Sequence, residues 1–232
     1  MNGWHLAPLA ALDFETTSAD PDEARIVTAT LIRIHGSQTE TRSWLVNPGV
    51  PISPEATAIH GVTDEQAAAD GIDPATAAAQ ILAELDECWT GGRPVVIYNA
   101  TFDLTVLDRE LRRHCSSSLT SWGPVIDPFV IDKELDKYRK GSRTLTAVCD
   151  HYGVKLENAH SSEGDALAAA RVAWRLAQVY PQQLADLDAL NGMQAVWREQ
   201  WAAGFREYLT KQGKPEPVDG HWPVRPYIEA VS

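Results

Sequence analysis

The sequence predicts an α/β fold in which a mixed β-sheet carries helices on its faces. Three strand-like segments on short connections come first, and two brief apolar segments follow with helical segments between and after them. Short connections favour an antiparallel meander for the first three strands, whereas strands separated by helices complete a mixed sheet. With 232 residues, the chain is long enough for one large domain or one domain plus an appendage.

The first three strands are predicted at residues 9–15, 25–35 and 39–46. The first is apolar until two acidic residues interrupt it at its end. In the second, isoleucine and threonine recur at every other position, which is the period of a half-buried strand. The residues Gly-Ser-Gln at 36–38 have the chemistry of a turn that would join the second strand to the third.

Capping residues mark the helices that follow. A capping box over residues 63–66 predicts one helix start, and Asp73 with Pro74 predicts another, whose helix ends at Gly91. The remaining segments are predicted as strands at 94–99 and 124–127, and as helices at 102–115, 130–138, 144–152 and 162–179.

Residues 181–232 differ in character and are predicted to form a helical extension with a proline-containing tail. Asn191-Gly192 is expected to separate two helices. Beyond it, four aromatic residues recur at helical spacing: Trp197, Trp201, Phe205 and Tyr208. This spacing favours a face packed on the first part of the chain, with base stacking or a dimer interface as alternatives.

The composition excludes several classes of protein. Lys and Arg number 20 and Asp and Glu number 32, so the net charge of −12 argues against a polybasic nucleic-acid coat. Three cysteines without a C-x-x-C pair exclude a zinc knuckle and fit reduced thiols. No apolar run reaches the ~18 residues of a membrane span, so we expect a cytoplasmic protein with no membrane partner.

Two carboxyl groups stand together at the end of the first predicted strand. Asp13 and Glu15 are two residues apart, so their side chains point to the same face of the sheet. Like charges side by side are costly unless a divalent cation, which prefers oxygen ligands, binds between them. A solvated pair at a strand end is the alternative interpretation.

Two further acids lie at helix starts. Asp103 falls in the opening turn of the helix that follows the fourth strand, and Asp165 lies five residues after His160 in the early turns of a later helix. That spacing lets the histidine and the acid face one cleft. Helix capping alone would explain either acid, and Ser162 with Asp165 would form a capping box. Asp127, at a strand end, is assigned a turn or cap role, with support of the site as the alternative.

The three acidic segments together resemble the motifs of the DEDDh, or DnaQ-like, 3′–5′ exonucleases: D-F-E-T-T at 13–17, N-A-T-F-D at 99–103 and H-x-x-x-x-D-A at 160–166. This family includes the proofreading epsilon subunit of bacterial DNA polymerase III. The resemblance covers about residues 7–180 and extends to I-H-G-V-T-D-E at 59–65. Ser162 stands where the family commonly has alanine.

The resemblance implies a ribonuclease H-like fold with a five-stranded mixed sheet over residues 1–180, followed by the extension at 181–232. It implies a hydrolase that releases 5′-mononucleotides from nucleic-acid 3′ ends with two divalent ions, Mg²⁺ or Mn²⁺. Single-stranded or frayed DNA is favoured as substrate, in proofreading or repair, with a DNA polymerase as candidate partner. The assembly is expected to be a monomer or a homodimer.

The resemblance also implies a role for each motif residue. Asp13 would bridge the two ions, Glu15 and Asp165 would bind the ion that carries the attacking water, and Asp103 would serve the second ion. His160 would be the general base, a role that suits histidine because an imidazole ordinarily titrates near neutral pH.

Other residues are expected to contact the substrate strand. In and beside the motifs these are Phe14, Thr16, Thr17, Ile59, His60, Asn99 and Phe102. Core packing is the alternative for both phenylalanines. In the cation-rich stretch at 133–143, we expect Lys140 and Arg143 to contact phosphates, with a solvated helix face as the alternative.

Three other functions stay open on sequence alone. A 3′–5′ exoribonuclease would use the same site, because RNA is distinguished through its 2′-hydroxyl and not its phosphate. A non-catalytic, polymerase-associated binding module would be expected to lack one or more motif acids, all of which are present. An unrelated acidic adaptor would require the three motifs to coincide by chance.

Overall fold

A five-stranded mixed sheet forms the centre of the protein, as a computed structural model that describes residues 3–229 shows. The strands are β1 (Leu9–Thr16), β2 (Ile26–His35), β3 (Gln38–Leu45), β4 (Val95–Val96) and β5 (Val125–Ile126), in the order β3-β2-β1-β4-β5. β2 is antiparallel to both of its neighbours, while β1, β4 and β5 run parallel. The carboxyl ends of these three strands therefore meet at one edge of the sheet.

Eight α-helices and a 3₁₀ helix (Trp4–Leu6) complete the described part of the chain. The α-helices are α1 (Pro54–His60), α2 (Asp64–Asp70), α3 (Pro74–Thr90), α4 (Ala100–His114), α5 (Pro128–Leu135), α6 (Leu145–Tyr152), α7 (Ser162–Val179) and α8 (Leu187–Lys211). Within residues 3–229, none of them combines the length and hydrophobicity that crossing a membrane requires.

The alternating side chains of β1 divide the core into two layers. Leu12 and Phe14 belong to the layer formed with α3 and α4, while Leu9 and Ala11 belong to the layer formed with α6 and α7. By the same alternation, the acids that follow on β1 point to the α7 side. The sheet thus presents its acidic pair on the face that α7 covers.

The predicted elements between residues 9 and 179 are present, and the differences fall at their ends and at one missed helix. α1 was not predicted, although Ser53 caps it and Pro54 occupies its first position. β4 and β5 pair over two residues each, fewer than predicted. α4 begins two residues early, because Asn99 adopts a left-handed conformation (φ 61°) that turns the chain into the helix at once.

The predicted break at Asn191-Gly192 is wrong, since α8 continues through both residues. A glycine inside a helix costs only about 1 kcal/mol, and contacts with β5 offset that cost. Asn191 Oδ1 accepts a hydrogen bond from Val125 N–H at 3.1 Å. The buried Gln194 amide accepts from Asp127 N–H at 2.7 Å and donates to Val125 O at 2.9 Å.

The aromatic stripe on α8 is only partly packed on the rest of the chain. Trp197 packs against the α6–α7 core layer and Trp201 is half-buried, as expected of a packed face. Phe205 and Tyr208 are 39% and 54% exposed, so that expectation is wrong for the second half of the stripe. The reason is length: a helix of 25 residues spans about 37 Å and extends past the sheet.

The tail after α8 is irregular, as predicted, and returns to α4. Trp222 packs against the α3–α4 core layer. Thr101 Oγ1 donates to His221 O at 3.2 Å, and Arg225 N–H donates to Thr105 Oγ1 at 2.9 Å. The extension is therefore attached to the sheet through α8 and to α4 through the tail.

Replacing Gln194 with alanine should lower the free energy of unfolding by about 2–4 kcal/mol, because two buried backbone groups lose their hydrogen-bond partner. Gln200→Ala, at an exposed position of the same helix, should change it by less than about 0.5 kcal/mol. Urea denaturation followed by circular dichroism measures both variants. Equal stability of the two would contradict the anchoring role of Gln194.

Candidate active site

β1 ends in two half-buried carboxyl groups on one face of the sheet. Asp13 and Glu15 lie opposite Thr30 and Thr28 of β2, whose side chains are neutral. Among the described residues, no lysine or arginine forms an ion pair with either acid. The negative charge at this strand end is therefore left without a positive partner from the protein.

α7 brings a third carboxyl group to this pair. Ser162 Oγ hydrogen-bonds with Thr30 Oγ1 at 2.8 Å and accepts from Thr28 Oγ1 at 3.2 Å, which fixes the start of the helix on β2. Carboxylate oxygens of three acids then lie within 4.8 Å of one another: Asp13, Glu15 and Asp165. The serine that departs from the usual alanine is thus buried with its hydroxyl satisfied.

The fourth acid approaches from the first turn of α4. Asp103 Oδ1 accepts a hydrogen bond from Phe14 N–H at 3.0 Å, at the residue between Asp13 and Glu15. The Asp103 side chain is buried, and its charge acts on Asp13 strongly enough to raise the pKa of that acid. The structure thus brings all four predicted acids to the end of β1.

Burial and mutual repulsion raise the pKa values of these carboxyl groups. For Asp13, burial raises the pKa well above its ordinary value, and the other three acids add to the effect. Burial also raises the pKa of Asp103, and it outweighs the hydrogen bonds that favour the charged form. Burial and the charge of Asp165 raise the pKa of Glu15 to about 7. Near neutral pH the cluster therefore holds protons that a divalent cation would displace.

The donor set fits divalent cations. Hard cations prefer carboxylate oxygens, and every polar group of the cluster is of that kind. Asp165 Oδ1 is buried and has no hydrogen-bond partner among residues 3–229. A buried acceptor without a hydrogen-bond donor destabilises the folded state, and a cation bound at that oxygen would remove this destabilisation.

His160 lies in the tight loop before α7 and has a left-handed backbone (φ 66°). Gly164 allows this loop to pass close to the helix, because a Cβ there would come within 2.3 Å of Glu157 O. The His160 side chain is exposed. Burial raises the pKa of Asp165, and the backbone and imidazole of His160 oppose that rise, which puts the histidine beside this acid.

Asp127 both caps a helix and supports the site. As expected of a cap, its carboxylate accepts hydrogen bonds from backbone N–H groups in the first turn of α5. It also accepts from Asn99 N–H at 2.9 Å, Ala100 N–H at 3.0 Å and the Trp222 indole at 3.2 Å. These bonds hold the left-handed turn before α4 and so direct Asp103 at β1. In the sequence, the only indication of this supporting role is that an acidic residue directly follows a predicted strand.

Four of the predicted substrate contacts are engaged within the protein. Phe14 is buried in the α3–α4 core layer, and Phe102 packs against the same layer. The hydroxyls of Thr16 and Thr17 hydrogen-bond with backbone groups of the loop between β1 and β2. These residues border the acidic cluster without presenting free polar side chains to it.

Three other predicted contacts lie in more open positions. Ile59 is 55% exposed at the end of α1, and Asn99 is half-buried after β4. His60 Nδ1 accepts from Val62 N–H at 3.1 Å, which leaves the buried Nε2 as the donor of the ring. Burial lowers the pKa of His60 and the backbone of Thr16 opposes the change, so the ring lies against the end of β1.

The two cations expected to contact phosphates differ in their surroundings. The Arg143 guanidinium donates to the Asp132 carboxylate at 2.6 Å and to the carbonyl oxygens of Asp136 and Arg139. Its charge is therefore compensated inside the protein. Lys140 is exposed and forms no ion pair within residues 3–229. The expected phosphate contact stays a prediction for Lys140 alone.

Residues 10–173 match the model of an exonuclease family, RNase_T. The match spans more than half of the chain, and the protein therefore belongs to this family of DnaQ-like exonucleases. The resemblance found in the sequence motifs is confirmed. Members of this family are nucleases, which hydrolyse phosphodiester bonds, and exonucleases of this kind use divalent metals.

Relatives of known function include much longer proteins. PolC-type DNA polymerase III of Streptococcus thermophilus is 28% identical over 169 residues, which are 72% of this chain and 11% of the relative. The corresponding polymerase of Oceanobacillus iheyensis is 26% identical over 167 residues, with the same two shares. The chain thus spans about a tenth of the length of these relatives.

Solved structures confirm the predicted ribonuclease H-like fold. Exonuclease I of E. coli, in complex with a dT13 oligonucleotide, superposes with a TM-score of 0.66 at 20% identity, over 76% of this chain and 42% of that one. Exonuclease I of Methylocaldum szegediense gives a TM-score of 0.62 at 24% identity, over 77% and 42%.

Glu15→Gln should stabilise the metal-free protein at pH 8. Because the folded pKa of about 7 exceeds the ordinary value of 4.5, the folded state binds the proton more tightly than the unfolded state does. Folding therefore loses stability as pH rises through this window, and removing the charge should raise Tm by about 2–4 °C.

Near pH 4 most of the gain should be lost, because Glu15 is then largely protonated in both the folded and the unfolded state. Thermal unfolding in EDTA at the two pH values measures the effect. Glu163→Gln, at an exposed position of α7, is the control and should show no such gain. A lower Tm for Glu15→Gln at pH 8 would contradict the repulsion inferred at this site.

Proposed function

We propose that the protein is a metal-dependent 3′–5′ exonuclease that releases 5′-mononucleotides from single-stranded or frayed DNA ends. The observation that carries this proposal is the convergence of four acids at the end of β1 without a positive partner among the described residues: Asp13, Glu15, Asp103 and Asp165. Such a cluster is costly on its own and is suited to holding cations against a phosphodiester.

The four acids would hold two divalent ions, Mg²⁺ or Mn²⁺. When bound, such ions supply an activated water and stabilise the leaving oxygen of the phosphodiester. Asp13 would contribute to both ions, since its carboxylate lies within 4.8 Å of those of Glu15 and Asp165 and Asp103 is held at the neighbouring residue of β1. Glu15 and Asp165 are assigned to the ion at the attacking water, and Asp103 to the other. The protein keeps these groups in place by fixing α7 on β2 and α4 on β1.

His160 is proposed as the general base. Its exposed imidazole lies beside Asp165, where a ring nitrogen can take the proton from the attacking water and pass it to solvent. Gly164 leaves room for the loop that carries the histidine, because a Cβ there would clash with the carbonyl oxygens of Glu157 and Asn158.

The relatives support DNA as the substrate and a DNA polymerase as the partner. The two relatives compared above are DNA polymerases, and the E. coli structure contains a DNA oligonucleotide. Proofreading or repair is therefore the proposed role. Substrate contacts are proposed for seven residues in and beside the motifs: Phe14, Thr16, Thr17, Ile59, His60, Asn99 and Phe102. Lys140 is the proposed phosphate contact.

We further propose that residues 1–180 form the catalytic domain and residues 181–232 an extension to it, since the family match ends at residue 173. The cytoplasm is the proposed location, because all three cysteines are free thiols, as is usual in a reducing compartment.

A 5′-labelled single-stranded DNA oligonucleotide should shorten stepwise from its 3′ end on a denaturing gel when Mg²⁺ or Mn²⁺ is present. Asp165→Asn should lower kcat by more than the ~10–100-fold that is typical when a residue only hydrogen-bonds to a metal ligand. Glu163→Gln, an exposed acid on the same helix turn, should keep wild-type activity.

An RNA oligonucleotide of the same sequence tests the substrate assignment in parallel. Faster shortening of RNA than of DNA would contradict the preference for DNA. No cleavage of either strand by folded wild-type protein would contradict the proposed activity.

His160→Gln should lower kcat by about 10²–10⁴-fold, the usual contribution of a general base, while binding of Mn²⁺ is retained. Steady-state cleavage rates and a metal titration measure the two effects separately. His151→Gln, at an exposed position of α6, is the matched control and should be fully active. A loss of less than about tenfold for His160→Gln would exclude the role of base.

A further inference from the structure

Three aromatic side chains form a ladder along the second half of α8. The Trp201 and Phe205 rings are 5.5 Å apart and inclined by 17°, and the Phe205 and Tyr208 rings are 6.2 Å apart and inclined by 11°. Phe205 is 39% and Tyr208 is 54% exposed. The ladder lies outside the segment that matches the exonuclease family.

Two cations flank the inner end of the ladder. Lys133 Nζ lies 3.4 Å from the centre of the Trp201 ring and 4.2 Å from that of Phe129. The Arg198 guanidinium lies 5.1 Å from the Trp201 ring. Within residues 3–229 neither cation pairs with a carboxylate, and Arg198 Nε is buried without a hydrogen-bond partner.

Lys133 and Arg198 lie where a bound anion would stabilise their positive charges. Burial lowers the pKa of Lys133 to about 8. The charges of Arg198 and Arg143 add to this effect, and the buried carboxylates of Asp127 and Asp132 oppose it only in part. The acids beside the ladder are already engaged with other cations: Glu134 with Lys137, Glu199 with Arg206 and Glu207 with Lys211. The chain as a whole carries a net charge of −12, whereas this surface has cations that no acid within residues 3–229 pairs with.

The ladder lies at the edge of the sheet that holds the active site. Asn191 bonds to the start of β5 and Gln194 to Asp127 just beyond its end, so α8 runs in the direction of the strand. The helix rise places Trp201 about 10 Å beyond Gln194, past the carboxyl edge. β5 itself is two strand spacings, about 10 Å, from β1.

We propose that this surface binds the single-stranded DNA that trails from the active site, with a phosphate between Lys133 and Arg198 and bases stacked on the exposed rings. The inference rests on the exonuclease function proposed above. Stacking on aromatic rings tolerates any base sequence, and cations beside the rings follow the backbone, which is how proteins hold single strands without sequence preference. A protein partner with an apolar face would offer neither cation an anion to pair with.

Fluorescence anisotropy with labelled single-stranded DNA in EDTA, which prevents cleavage, tests the proposal. Phe205→Ala and Tyr208→Ala should each weaken the binding of an oligonucleotide of about twenty nucleotides by about fivefold or more. Neither variant should change the binding of an oligonucleotide of about four nucleotides. Trp174→Ala, a 43% exposed aromatic on α7, is the control and should bind both as wild type does.

Lys133→Gln should reduce the slope of log K against log salt concentration by about 0.7, the value expected for one phosphate contact on a single strand. Arg175→Gln, at an exposed position of α7, should leave the slope unchanged. An unchanged slope in Lys133→Gln would overturn the phosphate contact.

Cleavage kinetics separate this inference from the proposed function. In Mg²⁺, the ladder variants should raise KM for the long oligonucleotide and leave kcat and dinucleotide cleavage unchanged. If wild-type protein cleaves DNA while the ladder variants bind and cleave as it does, the inference is overturned and the function stands. If wild-type protein binds the long strand through the ladder yet cleaves nothing, the function fails and the binding surface stands.

Sedimentation velocity tests the alternative that the ladder is a dimer interface. We expect Phe205→Ala and wild type to have the same oligomeric state. A wild-type dimer that Phe205→Ala converts to a monomer would overturn the inference, because the ladder would then be an interface between two copies of the chain.

Discussion

The repulsion among four carboxyl groups at the end of β1 is the constraint on which the rest of the structure depends. Asp13, Glu15 and Asp165 have oxygens within 4.8 Å of one another, and Asp103 is held against the same strand end. Burial raises the pKa of all four, that of Glu15 to about 7, and repulsion adds to the rise at Asp13, Glu15 and Asp103. Before cations bind, other interactions in the fold must therefore offset the repulsion among these groups.

That stabilisation comes from polar contacts between the elements that carry the acids. Ser162 fixes α7 on β2 through the threonine hydroxyls of that strand. Asp127 holds the turn before α4 and receives the indole N–H of Trp222 from the tail. Gln194 in turn binds the backbone on both sides of the end of β5. The extension therefore supports the site through Asp127 although it lies outside the family match.

The sequence predicted the elements and the acids whose signals are local, such as the two-residue spacing of Asp13 and Glu15 on a strand. Where the prediction failed, contacts distant in the chain override local preference. Gly192 stays helical because neighbouring residues of α8 bind β5, and Asp127 supports Asn99 across 28 residues of chain. Likewise, no local pattern shows that Arg143 pairs with Asp132.

Calorimetric titration with Mn²⁺ at pH 7, in two buffers of different ionisation enthalpy, tests the central claim most directly. We predict that two ions bind per chain and that binding releases protons, because Glu15 has a pKa of about 7 and the neighbouring acids are shifted upward as well. Asp13→Asn should abolish the binding of at least one ion. No binding to the folded protein, or binding that Asp13→Asn leaves unchanged, would contradict a metal site at the end of β1.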